Sequence, residues 1–156
     1  MKITREEYLR LLAAAKEINK EREYLFVKAF ALVGLKVNEV PDFTIELIKS
    51  GVVPYEPSKR YLVERRIPKS FQKELLDYAE RKNIKEGPIF ITRTGKLVER
   101  TKITSNLKVL CPGSKVAYEK VSPKALRNLY FETVDEVLSQ MVDQVTDKYL
   151  EFVEAE

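Results

Sequence analysis

Apolar residues recur every three or four positions over much of the chain, the spacing of one face of an α-helix. The first such stretch follows Thr4 and Glu7, whose spacing is that of an N-terminal capping box. Gly34 ends the second stretch, as glycine does at helix C-termini. Helices are predicted from Thr4 to about 18, over 21–33, from Ser70 to about Lys82, over 100–110, from Ser122, and from about Thr133 to the end.

Short apolar runs between turn residues predict a small antiparallel sheet placed among the helices. Its three strands are predicted over 43–48, 52–55 and 61–67, and a fourth short apolar run, 88–91, precedes a glycine turn. Residues 111–120 read as a polar connection. The pattern therefore indicates a mainly α (α+β) protein with a three-stranded antiparallel sheet, organised as a single domain over 1–156.

The composition limits the class of protein and the types of site that the chain can form. Apolar residues form 44% and charged residues 33% of the 156 positions, which suits one globular domain with a real core. No apolar run reaches the ~20 residues that span a bilayer, and no signal peptide is recognised, so we expect a cytoplasmic protein without a membrane partner. Cys111 is the single cysteine and histidine is absent, so neither a metal site nor a cofactor is expected.

The charges are unevenly distributed along the chain. Residues 59–108 hold 14 Lys/Arg and 6 Asp/Glu, a net charge of +8, whereas residues 131–156 hold 1 Lys and 8 acids, a net charge of −7. A basic centre is typical of a polyanion-binding surface. The alternative is that Lys and Glu coat solvated helix faces, as in heat-tolerant proteins.

The start of the helix at Ser122 combines features of a phosphate site. Ser122 is a good N-cap and Pro123 suits the first helical position. Lys124 and Arg127 follow three residues apart, on one face of the helix. Cationic side chains beside unpaired backbone N–H groups attract phosphate.

Four segments together resemble the catalytic domain of tyrosine recombinases, the phage-integrase family. Residues 34–39 resemble its Gly-Leu-Arg-x-x-Glu box, 65–68 its basic strand end, 87–96 its Gly-Pro-Leu-Phe and Gly-Lys turn, and 122–127 its Pro-His-x-Leu-Arg box. The resemblance covers about 4–131. It implies a helical catalytic-domain fold, here without a separate N-terminal core-binding domain, and duplex DNA as partner.

In that family a tyrosine attacks a DNA phosphate, two arginines stabilise the charge on its oxygens, and a lysine protonates the leaving oxygen. Glu39 is expected to form an ion pair that orients a neighbouring cation. The resemblance implies these catalytic positions: Arg127 (second arginine), Lys36 (in place of the first arginine), Lys59 (general acid), Lys124 (in place of a histidine) and Tyr149 (nucleophile). It implies these DNA contacts: Arg60 (also the rival to Lys59), Arg93, Lys96, Arg100 and Lys102.

Each position also has a structural interpretation. Arg127 and Lys59 suit solvated surfaces, and Glu39 suits a solvated turn. Lys36 suits the C-terminal end of a helix dipole, and Tyr149 has the spacing of a packing residue. Lysine supplies charge without the bidentate fork of arginine, and protonated Lys124 cannot accept a proton.

The sequence is compatible with three kinds of protein: an active DNA breaking–joining enzyme, a DNA-binding relative that has lost the reaction, and an interaction domain that docks through its acidic last helix. A scaffold resequenced for stability is also compatible with the composition. We favour DNA binding with weak or lost catalysis, and a homo-oligomer formed through the C-terminal helix.

Overall fold

The computed structural model describes residues 2–54 and 64–155. Most of them are helical. The helices are α1 (Arg5–Glu17), α2 (Glu21–Val33), α3 (Ile45–Ser50), α4 (Lys69–Arg81), α5 (Arg100–Lys108), α6 (Cys111–Ser114) and α7 (Pro123–Glu154), and the strands are β1 (Val52–Pro54) and β2 (Glu64–Arg66).

The predicted start of α1 and end of α2 are confirmed. The Glu7 N–H donates to Thr4 Oγ1 (3.1 Å), and the Thr4 N–H donates to Glu7 Oε1 (3.0 Å), which completes the capping box. Gly34 terminates α2 with φ +69°, the left-handed conformation that glycine adopts without steric cost.

Helix α2 is the centre of the core and packs against α1, α5 and α7. It is buried on most of its circumference, so its apolar pattern is nearly continuous rather than a single stripe. Phe26 is fully buried and its ring stacks on those of Phe30 and Phe90, with centroids 5.8 and 3.9 Å away. This aromatic packing holds α2 in the core, and the two sites described below lie at its two ends.

The strand predicted over 43–48 is wrong, since α3 occupies most of it. Thr44 Oγ1 accepts the Leu47 N–H (3.1 Å), so the threonine acts as a helix N-cap and not as a strand residue. Ile45 and Ile48, three residues apart, are both buried on one face of the resulting turn. The β-branched side chains favour a strand, but capping and burial decide the conformation.

The sheet in the described residues has two strands and not three. β1 and β2 are antiparallel, with Val53 opposite Arg65. The run 88–91 forms only isolated bridges, Thr44 with Pro88 and Ile91 with Leu97. The predicted hairpin tip, with Lys59 and Arg60, lies outside the described residues.

The two helices predicted after Ser122 are one helix, α7, of 32 residues. Thr133 does not cap a new helix; its Oγ1 donates to the Leu129 carbonyl (2.8 Å) within the same one. The supposed connection 111–120 contains α6 and a 3₁₀ turn over 118–120. Helix α4 begins at Lys69, one residue before the predicted cap at Ser70.

Only the first turns of α7 belong to the core. Its buried residues are Pro123, Leu126 and Leu129, while the large apolar side chains after 136 are mostly exposed. Ion pairs from the start of the chain, Lys2–Glu132 (3.1 Å) and Arg5–Glu136 (3.0 Å), hold the middle of the helix. Within residues 2–54 and 64–155, the helices are all too short or too polar to cross a bilayer.

Candidate functional site

The carbonyl of Gly34 is the point where three distant segments meet. It accepts hydrogen bonds from Arg65 Nη1 of β2 (2.8 Å) and from Arg127 Nε of α7 (3.2 Å). The fold thus brings the first and second sequence boxes together, with the basic strand end between them. We call this cluster of Gly34, Glu39, Arg65 and Arg127 the Gly34 junction.

Arg65 is the structural centre of the Gly34 junction. Its side chain is 3% exposed, and its two terminal nitrogens bind the two oxygens of Glu39 at 3.1 and 2.6 Å. Nη2 also donates to the Pro54 carbonyl (2.8 Å). A bidentate pair in a buried position fixes both partners rigidly. The predicted ion pair of Glu39 is therefore confirmed, with Arg65 as the cation.

Glu39 also connects the junction to Lys36. Its Oε1 accepts the backbone N–H of Lys36 (2.8 Å), which begins the 3₁₀ turn over 37–42. The Lys36 side chain is half-buried. Lys36 and Arg127 are therefore tied to the same cluster, one through Glu39 and the other through Gly34.

Packing around Gly34 permits no side chain there. A Cβ at this position would lie 2.5 and 2.8 Å from two carbons of the Tyr130 ring. Tyr130 is one turn after Arg127 on α7, so the ring and the guanidinium flank the same glycine. The close approach of α7 to the end of α2 therefore requires glycine at position 34.

Arg127 is half-buried and lies over the Phe131 ring, with its guanidinium carbon 4.6 Å from the centroid. A cation above an aromatic face is stabilised electrostatically and held in orientation. Lys124 is exposed one turn earlier on α7. The first two turns of α7, capped by Ser122 Oγ accepting the Ala125 N–H (3.1 Å), therefore carry both cations.

Tyr149 is not brought to the Gly34 junction within one chain. It follows Arg127 by 22 residues of one unbroken helix, which at 1.5 Å per residue is about 33 Å along the axis. Tyr149 is also 67% exposed, so the packing interpretation is wrong for the described chain. Lys59 and Arg60 lie outside the described residues.

The predicted DNA contacts of the central region are exposed. Arg93 and Lys96 belong to the turn over 92–96, closed by the Thr92 N–H donating to the Lys96 carbonyl (2.6 Å). Arg100 and Lys102 lie in the first turn of α5, where helix N–H groups favour anions. In the parts of the chain that the structure describes, no group of three or more Cys, Asp or Glu residues is arranged for a metal.

Sequence reasoning did not assign a role to Arg65. The signal was available: Glu39 was expected to pair with a cation, and 65–68 was recognised as the basic strand end. Tyr130 was also missed as the ring that covers Gly34. Neither contact follows from the sequence, because the first depends on how β2 packs against the end of α2 and the second on how α7 crosses it.

Comparison with known proteins supports the fold. No protein-family model matches the chain, and no curated protein matches it. Among solved structures, it is similar to the crystal structure of XerA recombinase, with a TM-score of 0.69 and 19% sequence identity. The match covers 86% of this chain and 50% of the XerA chain, so this chain spans about half the length of that recombinase. The chain thus has a mostly helical fold with a small antiparallel sheet that resembles a tyrosine recombinase domain.

Proposed function

We propose that this protein binds duplex DNA as a tyrosine-recombinase-like domain, with a backbone phosphate held at the Gly34 junction and catalysis weak or lost. The observation that carries the proposal is the convergence of Arg65 and Arg127 on one carbonyl. Arg65 is engaged by Glu39 and Pro54, and thereby positions Gly34. Arg127 donates its Nε–H to Gly34, and its planar guanidinium is the type of group that binds phosphate oxygens.

Other cations extend this surface. Lys124 lies one turn before Arg127 on α7, and Lys36 is linked to the junction through Glu39. The net charge of +8 over 59–108 supplies a field that attracts a polyanion. The exposed cations of the turn over 92–96 and of α5 are proposed as further backbone contacts. Such contacts position the duplex without reading its sequence.

Three features support weak or lost catalysis. Lys36 replaces an arginine and cannot form a bidentate fork with a phosphate. Lys124 replaces a histidine and, while protonated, donates hydrogen bonds but accepts none. Tyr149 lies about 33 Å along α7 from Arg127. Loss of one donor to transition-state charge costs on the order of a hundredfold to a thousandfold in rate.

DNA binding is tested by the salt dependence of fluorescence anisotropy with a labelled duplex of about 30 base pairs. Each phosphate contact contributes about 0.9 to the slope of log K against log salt. We expect Arg127→Gln to weaken binding and to lower this slope by about 0.9. Arg10→Gln on the exposed side of α1 is the matched control and should leave the slope unchanged. Binding that does not depend on salt would contradict the proposal.

Loss of catalysis is tested with a nicked duplex and gel electrophoresis in denaturant. A covalent phosphotyrosyl adduct survives denaturation, so active enzyme gives a shifted band. We expect no efficient adduct formation. A strong band that disappears in Tyr149→Phe would show instead that the tyrosine reaches a phosphate, which within this fold requires a second chain.

A second function, self-association through the end of α7, rests on an independent observation. After residue 136 the helix exposes a series of large apolar side chains: Val137, Met141, Val142, Val145, Tyr149, Leu150, Phe152 and Val153. The same stretch is acidic, whereas residues 1–130 carry a net charge of +11. Two such acidic helices repel each other, but one complements the basic body of a second copy. We therefore propose that α7 docks on the body of another protomer.

Sedimentation velocity of the whole chain tests this docking. We expect a concentration-dependent oligomer that dissociates in the double variant Val145→Gln and Phe152→Gln. Gln144→Ala on the same helix is the control and should leave the oligomer intact. A monomer at about 100 µM for the unaltered chain would contradict the proposal.

A further inference from the structure

A second basic surface lies at the opposite end of α2 from the Gly34 junction. It is a groove of about 780 Å³ between the start of α2, the end of α4 and the turn over 92–95. Helix α2 has 13 residues, so the groove lies about 20 Å along its axis from Gly34. We call it the α2–α4 groove. None of its lining residues belongs to the Gly34 junction.

The charges of the α2–α4 groove leave an excess of cations. Five cations and three acids line it, and two of the acids are already paired. Glu23 binds Arg22 at 2.8 Å, and Glu21 binds Arg81 of the adjoining cleft at 2.6 Å. Four further cations of the lining form no ion pair with an acid in the described parts of the chain: Lys20, Lys82, Lys85 and Arg93. All four are exposed, and Glu86 is the one remaining acid of the lining that faces them.

The walls of the groove suit a phosphate backbone better than an amphipathic helix. Most of the lining is polar or charged, and its aliphatic residues are Ile84 and Ile91, both half-buried. A docking helix such as α7 would have little apolar surface on which to bury its stripe. A phosphodiester chain needs only separated cations and hydrogen-bond donors. Tyr78 also lines the groove; its ring is 5% exposed, and burial raises the pKa of its hydroxyl.

We propose that the α2–α4 groove is a second phosphate-binding surface, which holds the backbone of the DNA at the end of α2 opposite the phosphate at Arg127. This inference rests on the proposed DNA binding and adds a contact remote from the Gly34 junction. The four groove cations come from three separate parts of the chain, before α2, after α4 and in the turn over 92–96, so the surface exists only in the folded chain. Arg93 provides a planar fork and the three lysines provide point charges.

The test compares two variants of equal charge. The groove variant carries Lys20→Gln, Lys82→Gln and Lys85→Gln, and the control carries Arg10→Gln, Lys49→Gln and Lys115→Gln at exposed positions that do not line the groove. Binding of a 30-base-pair duplex is measured by anisotropy over a series of salt concentrations, for both variants and for Arg127→Gln. We expect the groove variant to lose about 2 to 3 from the salt slope, with each contact contributing about 0.9. The control should keep the slope of the unaltered chain.

The outcomes separate the two proposals. If Arg127→Gln weakens binding and the groove variant behaves as its control, the groove assignment is wrong and the proposed function stands. If the unaltered chain does not bind the duplex, both are wrong. If the groove variant keeps its DNA affinity but alters sedimentation, the groove binds an acidic protein surface and the phosphate assignment is overturned.

Discussion

Replacing Gly34 with alanine tests the geometry of the Gly34 junction directly. The residue has φ +69°, and a left-handed conformation costs a non-glycine residue about 1–2 kcal/mol. The added Cβ would also lie 2.5 Å from the Tyr130 ring, which is far inside van der Waals contact. Forcing atoms into a packed site costs about 1–3 kcal/mol more. We expect Gly34→Ala to lower the free energy of unfolding by about 2–5 kcal/mol.

The chain supplies a matched control at Gly51. This residue also has a left-handed φ, +75°, and terminates α3 as Gly34 terminates α2. A Cβ there would meet only the end of the Gln72 side chain, at 3.4 Å. Gly51→Ala therefore carries the backbone cost without the clash. The difference between the two variants isolates the contact with Tyr130.

Urea unfolding followed by circular dichroism measures both variants. We expect Gly34→Ala to be less stable than Gly51→Ala by about 1–3 kcal/mol. The slope against urea should remain the same, since a changed slope would report an altered denatured state. Equal destabilisation, within about 0.5 kcal/mol, would refute the close approach of α7 to Gly34. The DNA affinity of Gly34→Ala should also fall, because Arg127 donates to the same carbonyl.

Three further changes test the buried pair, the acid response and the core. Glu39→Leu leaves the buried guanidinium of Arg65 without its carboxylate and should cost about 3–5 kcal/mol in urea unfolding, whereas Glu21→Gln at an exposed pair should cost about 0–1 kcal/mol. Burial raises the pKa of Glu7, but hydrogen bonds from Thr4 and Lys120 bring it below 4.5 overall, so its stabilisation is present above pH 4.5 and is lost as the pH falls through the lowered pKa. Thermal unfolding between pH 3 and 6 should show a smaller acid loss in Glu7→Gln; an unchanged loss would contradict this. Leu75→Ala at a fully buried position should cost about 2–5 kcal/mol by the same urea assay, and a loss below about 1 kcal/mol would contradict its place in the core.

Local sequence features predicted the positions of most helices correctly. The capping box at Thr4 and the glycine at 34 are short-range features, because each acts on backbone groups within one or two turns. The predicted bounds of α2 and most of α1, α4 and α5 are confirmed for the same reason. The fold class follows from these helices together with the one strand pair at 52–54 and 64–66.

Errors occurred where local preference and tertiary packing compete. The run at 43–48 is rich in β-branched residues, but Thr44 caps a helix whose two isoleucines face the core. The separate helix predicted from about Thr133 is part of α7, where the Thr133 hydroxyl donates to the Leu129 carbonyl within the same helix. The sheet therefore lacks the strand predicted over 43–48, because the apolar residues of this run reach the core from a helix instead.

The residues of the candidate site were also predicted in part from local sequence and in part decided by tertiary packing. The sequence by itself identified Arg127, Lys36 and Glu39 as residues of two boxes, and predicted that Glu39 pairs with a cation. Only the tertiary structure decided that this cation is Arg65 and that Arg65 and Arg127 both donate to the Gly34 carbonyl. These two residues lie 31 and 93 positions from Gly34 along the chain. The continuity of α7 likewise decided that Tyr149 stands far from them. A chain specifies its turns locally, but the meeting of distant cations depends on the packing of whole helices.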